Sequence, residues 1–208
     1  MTQVADEYAR RFEKLVDVAA QLEVLIKEQL RDTARIDRVS ARAKTPTSFE
    51  AKALKETEPG IPKYVAPLEQ IQDQIGARVI VFYRSDVERV ASILEKYFQP
   101  IEWKDVVPDS FWEFGYFGRH WILALPGDAI PKGLEQAGVP RFFEMQVKTL
   151  YQHAWSEANH DLGYKPVNDL TADQKRRFAY TSAQSWGADR VFEELHVELS
   201  HSTEAGDA

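Results

Sequence analysis

The seven residues FEMQVKT, at positions 143–149, alternate between apolar and polar side chains. This period of two predicts a β-strand with one buried face and one polar face. Glu144, Gln146 and Lys148 would then point the same way and present a carboxylate, an amide and an ammonium side by side. Such a set of groups suits the floor of a binding site. The solvated outer face of an edge strand would show the same pattern and is the alternative.

The composition is that of a globular protein, with 208 residues and 44% hydrophobic side chains, and this length suits one domain. No apolar run approaches the ~20 residues of a membrane-spanning helix, and residues 1–12 lack the layout of a signal peptide. The lack of such an apolar run predicts that the protein has no membrane partner. Cysteine is absent, so we expect no thiol chemistry and cytoplasmic residence. The net charge of −7 does not attract nucleic acid, so an anion would need a local basic cluster.

The chain divides into three predicted segments. Residues 1–34 are expected to form an N-terminal helix, whose apolar residues recur at steps of three and four and would pack on a sheet or on another protomer. Residues 35–165 carry the polar motifs and form the predicted central domain. Residues 166–208 are expected to contain a C-terminal helix, which a capping box of Thr171 with Gln174 begins, and a polar tail.

A basic segment, residues 35–55, interrupts the acidic trend of the chain. Arg42 and Lys44 share one face of a predicted strand, and Lys52 falls about one turn inside a helix that Thr47 or Ser48 would cap. Cations that converge where a strand meets a helix suit a polyphosphate. A solvated basic face is the alternative for the same spacing.

A carboxylate precedes the next predicted strand. Asp73 comes just before residues 77–83, an apolar run that predicts a buried strand. This position suits Mg²⁺, which binds one or two carboxylates together with substrate phosphates. An ordinary cap or turn is the alternative for Asp73.

The segment 101–120 is predicted to be an aromatic-rich loop. Gly115 and Gly118 bracket Tyr116, and their freedom of backbone conformation would let that ring enter a cleft and stack on a base. A buried core aromatic is the alternative for Tyr116.

The helix predicted after Thr149 has a polar stripe, because its histidine, glutamate and tyrosine side chains recur at steps of four and three. The stripe comprises His153, Glu157, His160 and Tyr164. The pattern is a poor match for a metal motif, so the predicted role is to line a cleft, and a surface stripe is the alternative.

Four motifs follow one another in an order that resembles the synthetase domain of the RelA/SpoT family, the (p)ppGpp alarmone synthetases. They are R-x-K-x-x-x-S-x-x-x-K from Arg42 to Lys52, D-x-x-x-x-R from Asp73 to Arg78, G-Y-x-G-x-H from Gly115 to His120, and E-x-Q-x-K-T from Glu144 to Thr149. The resemblance covers roughly residues 35–165, and motifs in compatible order are far more specific than any one of them.

The resemblance implies an α+β fold: a mixed five-stranded β-sheet flanked by helices, related to nucleotidyltransferases. It implies transfer of the β,γ-pyrophosphate of ATP to the ribose 3′-hydroxyl of GDP or GTP, with Mg²⁺ as cofactor. Small members of this family often self-associate, so a homo-oligomer is expected.

The resemblance also implies roles for individual residues on the ATP side. Arg42 and Arg78 would hold the adenine between their guanidinium planes. Lys44 and Lys52 would neutralise the ATP phosphates, with Ser48 beside them.

The other implied roles concern the metal and the acceptor. Asp73 and Glu144 would hold Mg²⁺, and Glu144 would also take the proton from the 3′-hydroxyl. The remaining residues would bind the acceptor nucleotide, with Tyr116 stacking on guanine: Tyr116, His120, Gln146, Lys148 and His153.

Two positions depart from the family pattern: Gly118 replaces a serine, and Lys148 replaces an arginine. Acceptor preference is therefore open. No hydrolase motif precedes residue 35, so the chain resembles a small stand-alone synthetase. A toxin-type relative, which makes an adenine alarmone or modifies the 3′ end of tRNA, is one alternative. A catalytically inactive nucleotide-binding module is the other.

Overall fold

In the computed structural model, the described residues are 2–105, 118–163 and 170–206, and they form a five-stranded mixed sheet in the order β1-β4-β7-β6-β5. The strands of this sheet are β1 (Ile36–Ala43), β4 (Ile75–Val81), β5 (Pro100–Asp105), β6 (Arg119–Ala124) and β7 (Phe142–Thr149). A small hairpin joins β2 (Glu56–Glu58) to β3 (Ile61–Pro62). The helices are α1 (Gln3–Gln29), α2 (Pro46–Ala53), α3 (Pro67–Gln70), α4 (Arg84–Tyr97), α5 (Leu150–Gly163) and α6 (Ala172–Gly206).

Strand β7 lies at the centre of the sheet, parallel to β4 and antiparallel to β6. The predicted strand at residues 143–149 is thus confirmed, and it is not an edge strand. Its apolar side chains, Phe143, Met145 and Val147, are all fully buried. The predicted α+β fold with a mixed five-stranded sheet is also confirmed.

The apolar face of the sheet packs on α1 and α4. Helix α1 begins at Thr2, whose hydroxyl accepts a hydrogen bond from the Ala5 amide, and its apolar stripe is buried in the core. The stripe includes Tyr8, Leu15, Leu22 and Ile26. Of the two partners predicted for this helix, the structure shows the sheet of its own chain, so the stripe is not available to another protomer.

Helices α5 and α6 pack on each other, and α5 also contacts β4 and β7. At the end of β7, the Thr149 hydroxyl donates a 2.6 Å hydrogen bond to Asp189 of α6, and both side chains are buried. Thr171 and Gln174 exchange the two hydrogen bonds of a capping box at the start of α6, as predicted.

Three predictions about element boundaries were wrong. Thr45, rather than Thr47 or Ser48, caps α2, because its hydroxyl accepts from the Ser48 amide and Pro46 suits the first helical position. Residues 100–105 form strand β5 rather than a loop, since they pair with β6. Helix α1 ends at Gln29, before the predicted boundary.

Within the described ranges, no helix is long and apolar enough to cross a membrane.

Candidate active site

The polar face of the sheet collects side chains from four neighbouring strands. Residues that are paired across neighbouring strands point to the same face, and the register of β1, β4, β7 and β6 therefore fixes which side chains meet. They are Ser40, Arg42, Arg78, Glu144, Gln146, Lys148 and His120. The motifs far apart in sequence thus converge on one surface.

At one end of this surface, a carboxylate is held by two ammonium groups. The Asp73 Oδ2 atom lies 3.1 Å from Lys44 Nζ and 2.8 Å from Lys52 Nζ. We call these three residues the Asp73 cluster. The side chains are largely shielded from solvent, with Asp73 18% exposed. Its Oδ1 atom is buried and has no hydrogen-bond partner among the described residues.

Local backbone structure brings these three side chains together. Lys44 directly follows β1, and its amide donates a 2.8 Å hydrogen bond to the Gln74 carbonyl oxygen. Asp73 lies in a short 3-10 helix, Gln72–Gln74, that leads into β4. Lys52 lies in the last turn of α2. Of the three cations predicted to converge where a strand meets a helix, the structure brings together Lys44 and Lys52, whereas Arg42 lies exposed on β1.

The second carboxylate of the site, Glu144, lies on β7 and contacts a polar side chain through each of its oxygens. Gln146 Nε2 donates to Glu144 Oε2 at 3.1 Å, and His120 Nδ1 lies 3.4 Å from Glu144 Oε1. Burial alone would raise the pKa of Glu144. The contacts with His120 and Gln146, together with the positive charge of Lys52, outweigh burial and bring this pKa below its usual value. Glu144 is therefore ionised at neutral pH.

Lys52 links the two carboxylates electrostatically. Burial alone would lower the pKa of Lys52, but the hydrogen bond to Asp73 and the negative charges of Asp73 and Glu144 raise it above its usual value. Glu144 is paired across the sheet with Gly76, three residues after Asp73, so the two carboxylates lie at the same end of the polar face.

Lys148 is buried rather than open to the cleft. The residue is 4% exposed, and its Nζ atom donates a 3.1 Å hydrogen bond to Ser156 Oγ on α5. Burial and the positive charge of Arg78 lower the pKa of Lys148 to about 8, against the opposing charges of Glu157 and Glu144. A large part of the Lys148 population can therefore lose its charge in mildly alkaline solution.

The structure explains why glycine stands at position 118. A Cβ atom there would overlap the Lys148 side chain and the Val147 carbonyl oxygen. The two departures from the family pattern, at 118 and 148, are thus in direct contact.

Arg78 is engaged by helix α5. Its Nη1 atom donates to Glu157 Oε1 at 2.6 Å and approaches His153 Nδ1 at 3.3 Å. We call these three residues the Arg78 cluster. Burial and the charge of Arg78 lower the pKa of His153, so its imidazole is neutral at pH 7. Glu157 is 54% exposed, so this ion pair can open when another ligand competes for Arg78.

The remaining predicted site residues are placed as follows. Arg42 is exposed on the same face as Arg78, and Ser48 is exposed in the first turn of α2, where it accepts a hydrogen bond from Thr45 Oγ1 at 2.9 Å. Tyr116 and Tyr164 lie outside the described residues. Sequence reasoning missed Ser156 entirely. Its position, three residues after His153 on the same helix face, was the available signal.

The donor set fits Mg²⁺. Two carboxylates lie at one end of the polar face, and Asp73 Oδ1 is buried without a partner among the described residues. In the same ranges, no three histidine or acidic side chains cluster as a metal site. Phosphate oxygens of a nucleotide would therefore have to complete the coordination, as is usual for Mg²⁺.

The comparisons with known proteins identify the family of the chain. The region found in RelA and SpoT proteins matches residues 41–169, which is more than half of the chain, and the chain belongs to this family. The GTP pyrophosphokinase YjbM of Bacillus subtilis is 24% identical over 176 residues, which cover 84% of this chain and 78% of YjbM.

Solved structures show the same fold. Small alarmone synthetase 1 from Bacillus subtilis superposes with a TM-score of 0.74 at 22% identity, covering 94% of this chain and 99% of that one. A GTP pyrophosphokinase family protein from Streptococcus pneumoniae gives 0.74 at 23% identity, covering 97% of each chain. The Bacillus subtilis synthetase has also been solved with its product pppGpp and with AMPCPP, at TM-scores of 0.72 and 0.70.

Proposed function

We propose that this protein is a GTP/GDP pyrophosphokinase that makes (p)ppGpp from ATP and GDP or GTP. The observation that carries the proposal is the Asp73 cluster: a shielded carboxylate with one unpartnered oxygen, held by two ammonium groups at the end of the sheet where Glu144 also lies. Membership of the RelA/SpoT family and the ligand-bound structures of a relative support the same activity.

The proposed reaction is a displacement at the β-phosphorus of ATP. The ribose 3′-oxygen forms a bond to that phosphorus, the bond from the β-phosphorus to the oxygen bridging to the α-phosphate breaks, and AMP leaves. The proton of the 3′-hydroxyl passes to a Glu144 carboxylate oxygen. Because the pKa of Glu144 is lowered, this carboxylate is ionised at neutral pH and can accept the proton.

Lys44 and Lys52 would supply the positive charge that polyphosphate binding requires. Their ammonium groups already lie within 3.1 Å of one carboxylate oxygen, which brings both charges to a single point. Stabilising the charge that develops on phosphate oxygens accounts for much of the catalysis in phosphoryl transfer. Asp73 and Glu144 would hold Mg²⁺, which when bound would neutralise phosphate charge and orient the phosphates.

The adenine would lie against Arg42 and Arg78, which are diagonal neighbours on β1 and β4. Planar guanidinium groups stack on aromatic rings, a role that lysine fills less well. In the structure Arg78 is paired with Glu157, so adenine would have to displace that pair.

The acceptor nucleotide would bind beside Glu144, at the predicted acceptor residues His120, Gln146, Lys148 and His153. The His120 Nε2 and Gln146 Oε1 atoms are buried and have no hydrogen-bond partner among the described residues. Buried polar atoms rarely remain without a hydrogen bond, so we expect a polar group of the acceptor nucleotide, or a water molecule, to bind these two atoms. Tyr116 keeps its predicted role of stacking on guanine.

Purified protein incubated with ATP, Mg²⁺ and one acceptor at a time tests the proposal. We expect transfer to GDP and GTP, but not to AMP or to the 3′ end of tRNA. Transfer to AMP or tRNA alone would establish the toxin-type alternative, and binding without transfer would establish the inactive module. The Glu144→Gln variant, which we expect to lose transfer, serves as the negative control.

Self-association is a second part of the proposal. Because the apolar stripe of α1 is covered, the exposed apolar side chains of α6 are the better candidates for such a contact. They include Trp186, Phe192, Leu195 and Leu199. Light scattering of the purified protein would give its mass, and a monomer at micromolar concentration would refute this part. Cytoplasmic residence stays a prediction from sequence.

A further inference from the structure

Tyr8 of α1 lies beneath the Asp73 cluster and is fully buried. Its hydroxyl lies 2.7 Å from the Lys44 carbonyl oxygen and 3.4 Å from the Gln74 carbonyl oxygen. The Gln74 oxygen also accepts the Lys44 amide hydrogen at 2.8 Å. One hydroxyl therefore contacts the backbone of Lys44 itself and of the residue that directly follows Asp73.

The ring of Tyr8 contacts the third segment of the cluster. It stacks on Phe49, with ring centroids 3.9 Å apart and planes within 2° of parallel. Phe49 is the buried residue of α2, and Lys52 lies one turn further along the same helix. Tyr8 thus touches each of the three segments that carry a member of the Asp73 cluster.

The backbone on the far side of Asp73 is anchored separately. The Gln74 side chain is 2% exposed, and its Nε2 atom donates to the Leu68 and Ile71 carbonyl oxygens at 2.8 and 2.9 Å. The chain is therefore fixed just before the 3-10 helix as well as at its end. Between these anchors, Asp73 adopts a non-helical backbone conformation with φ −93° and ψ 30°.

The Tyr8 hydroxyl acts as a hydrogen-bond donor to these carbonyl oxygens. Burial raises the pKa of Tyr8 above its usual value, and the negative charge of Asp73 raises it further, so the group stays protonated. Phenylalanine would fill the same space and keep the stack on Phe49. The hydroxyl is thus accounted for by its contacts with the two carbonyl oxygens, since packing alone does not require it.

We propose that Tyr8 is a positioning residue for pyrophosphate transfer: its hydroxyl and ring fix the relative positions of Lys44, Asp73 and Lys52. This inference rests on the proposed function, because it is the transfer that needs the three groups in fixed geometry. Tyr8 lies outside residues 41–169, the region matched by the family. The N-terminal helix therefore contributes to the site as well as to the core.

The test compares Tyr8→Phe with Ile26→Val. Both remove a small group from buried positions of the same helix, and Ile26 lies five turns away from Tyr8. We expect Tyr8→Phe to lower kcat about tenfold with KM for GDP changed less than twofold, and Ile26→Val to leave both unchanged at a similar loss of thermal stability. Equal kcat in the two variants would overturn the inference.

A second measurement does not depend on turnover. The Lys44 amide hydrogen should exchange with solvent at least about tenfold faster in Tyr8→Phe than in the wild type, relative to the amides of β1, and should be unchanged in Ile26→Val. An unchanged rate in Tyr8→Phe would overturn the positioning role even if the wild type catalysed no transfer. Failure of the wild type to make (p)ppGpp, with faster exchange in Tyr8→Phe, would instead refute the proposed function alone.

Discussion

The Asp73 cluster and the Arg78 cluster lie on the same polar face, but they are held in different ways. The Asp73 cluster depends on backbone hydrogen bonds and buried side chains from three elements, and its carboxylate is 18% exposed. The Arg78 cluster depends on side chains alone, and its carboxylate is 54% exposed. The first is therefore preorganised, whereas the second can open at little cost when a nucleotide binds.

This contrast predicts that substitutions in and beside the Asp73 cluster affect turnover strongly, whereas substitutions in the Arg78 cluster affect binding weakly. Three substitutions test this contrast, and a pH profile tests Lys148, which belongs to neither cluster. They follow from the largest expected effect to the smallest.

Glu144→Gln should lower kcat by about three orders of magnitude, because the amide cannot take the proton of the 3′-hydroxyl. The variant should fold normally, since the two side chains have nearly the same shape. The synthesis rate and the circular dichroism spectrum give the two results. Glu58→Gln, on the exposed hairpin strand β2, is the matched control and should be fully active. Retained turnover in Glu144→Gln would refute the role of Glu144.

Lys52→Met should lower kcat/KM for ATP about 100-fold, because it removes the ammonium that interacts electrostatically with both Asp73 and Glu144. Steady-state kinetics with ATP as the varied substrate measures this. Lys27→Met removes a lysine that is paired with Glu23 on the exposed side of α1, and it should behave as the wild type. An effect below threefold in Lys52→Met would mean that the Asp73 cluster does not bind phosphate.

Lys148 should make acceptor use depend on pH. Its pKa of about 8 means that the charged form is present below that pH and is lost as the pH rises through it. We expect kcat/KM for GDP to fall about tenfold between pH 7 and pH 9, because loss of this buried positive charge weakens the electrostatic attraction of the site for acceptor phosphate.

Lys148→Arg supplies the control for this profile, since arginine stays charged throughout the range. The fall above pH 8 should disappear in that variant. The same alkaline fall in both proteins would assign the titration to another group. The stability of the folded state should show the opposite trend. Because the pKa of Lys148 is lowered in the folded state, burying its charge opposes folding below about pH 8. The free energy of unfolding should therefore increase as the pH rises above that value.

Glu157→Gln should lower KM for ATP about threefold, because it frees Arg78 from an exposed ion pair before adenine arrives. The effect on kcat should be negligible. Glu194→Gln breaks a comparable exposed pair with Arg190 on α6 and should change neither constant. A higher KM for ATP in Glu157→Gln would show instead that Glu157 helps to hold the nucleotide.

Local patterns were sufficient to predict the main elements of the fold. The strict alternation at 143–149 indicated the central strand, and the apolar stripe of the first thirty residues indicated helix α1. Strand β5 was missed because residues 100–105 begin with proline and carry three charged side chains. Pairing with β6 decides their state, and a non-local partner leaves no local signal.

The candidate site was predictable as a set of residues but not as a set of contacts. Motif spacing identified Lys44, Lys52 and Asp73, yet nothing in the spacing showed that all three would meet at one oxygen atom. The role of Tyr8 was hidden for a similar reason. Its place in the apolar stripe accounts for its burial, whereas its hydroxyl partners, Lys44 and Gln74, lie far along the chain.

The products formed from ATP test the central claim most directly, that this polar face transfers pyrophosphate as a unit. ATP labelled in its γ-phosphate is incubated with GDP, Mg²⁺ and the protein, and the nucleotides are separated over time. We predict one AMP for each labelled guanosine product, with the label in a 3′-pyrophosphate and no accumulation of ADP. Accumulation of ADP with transfer of a single phosphate, or release of the label as free phosphate, would contradict the account.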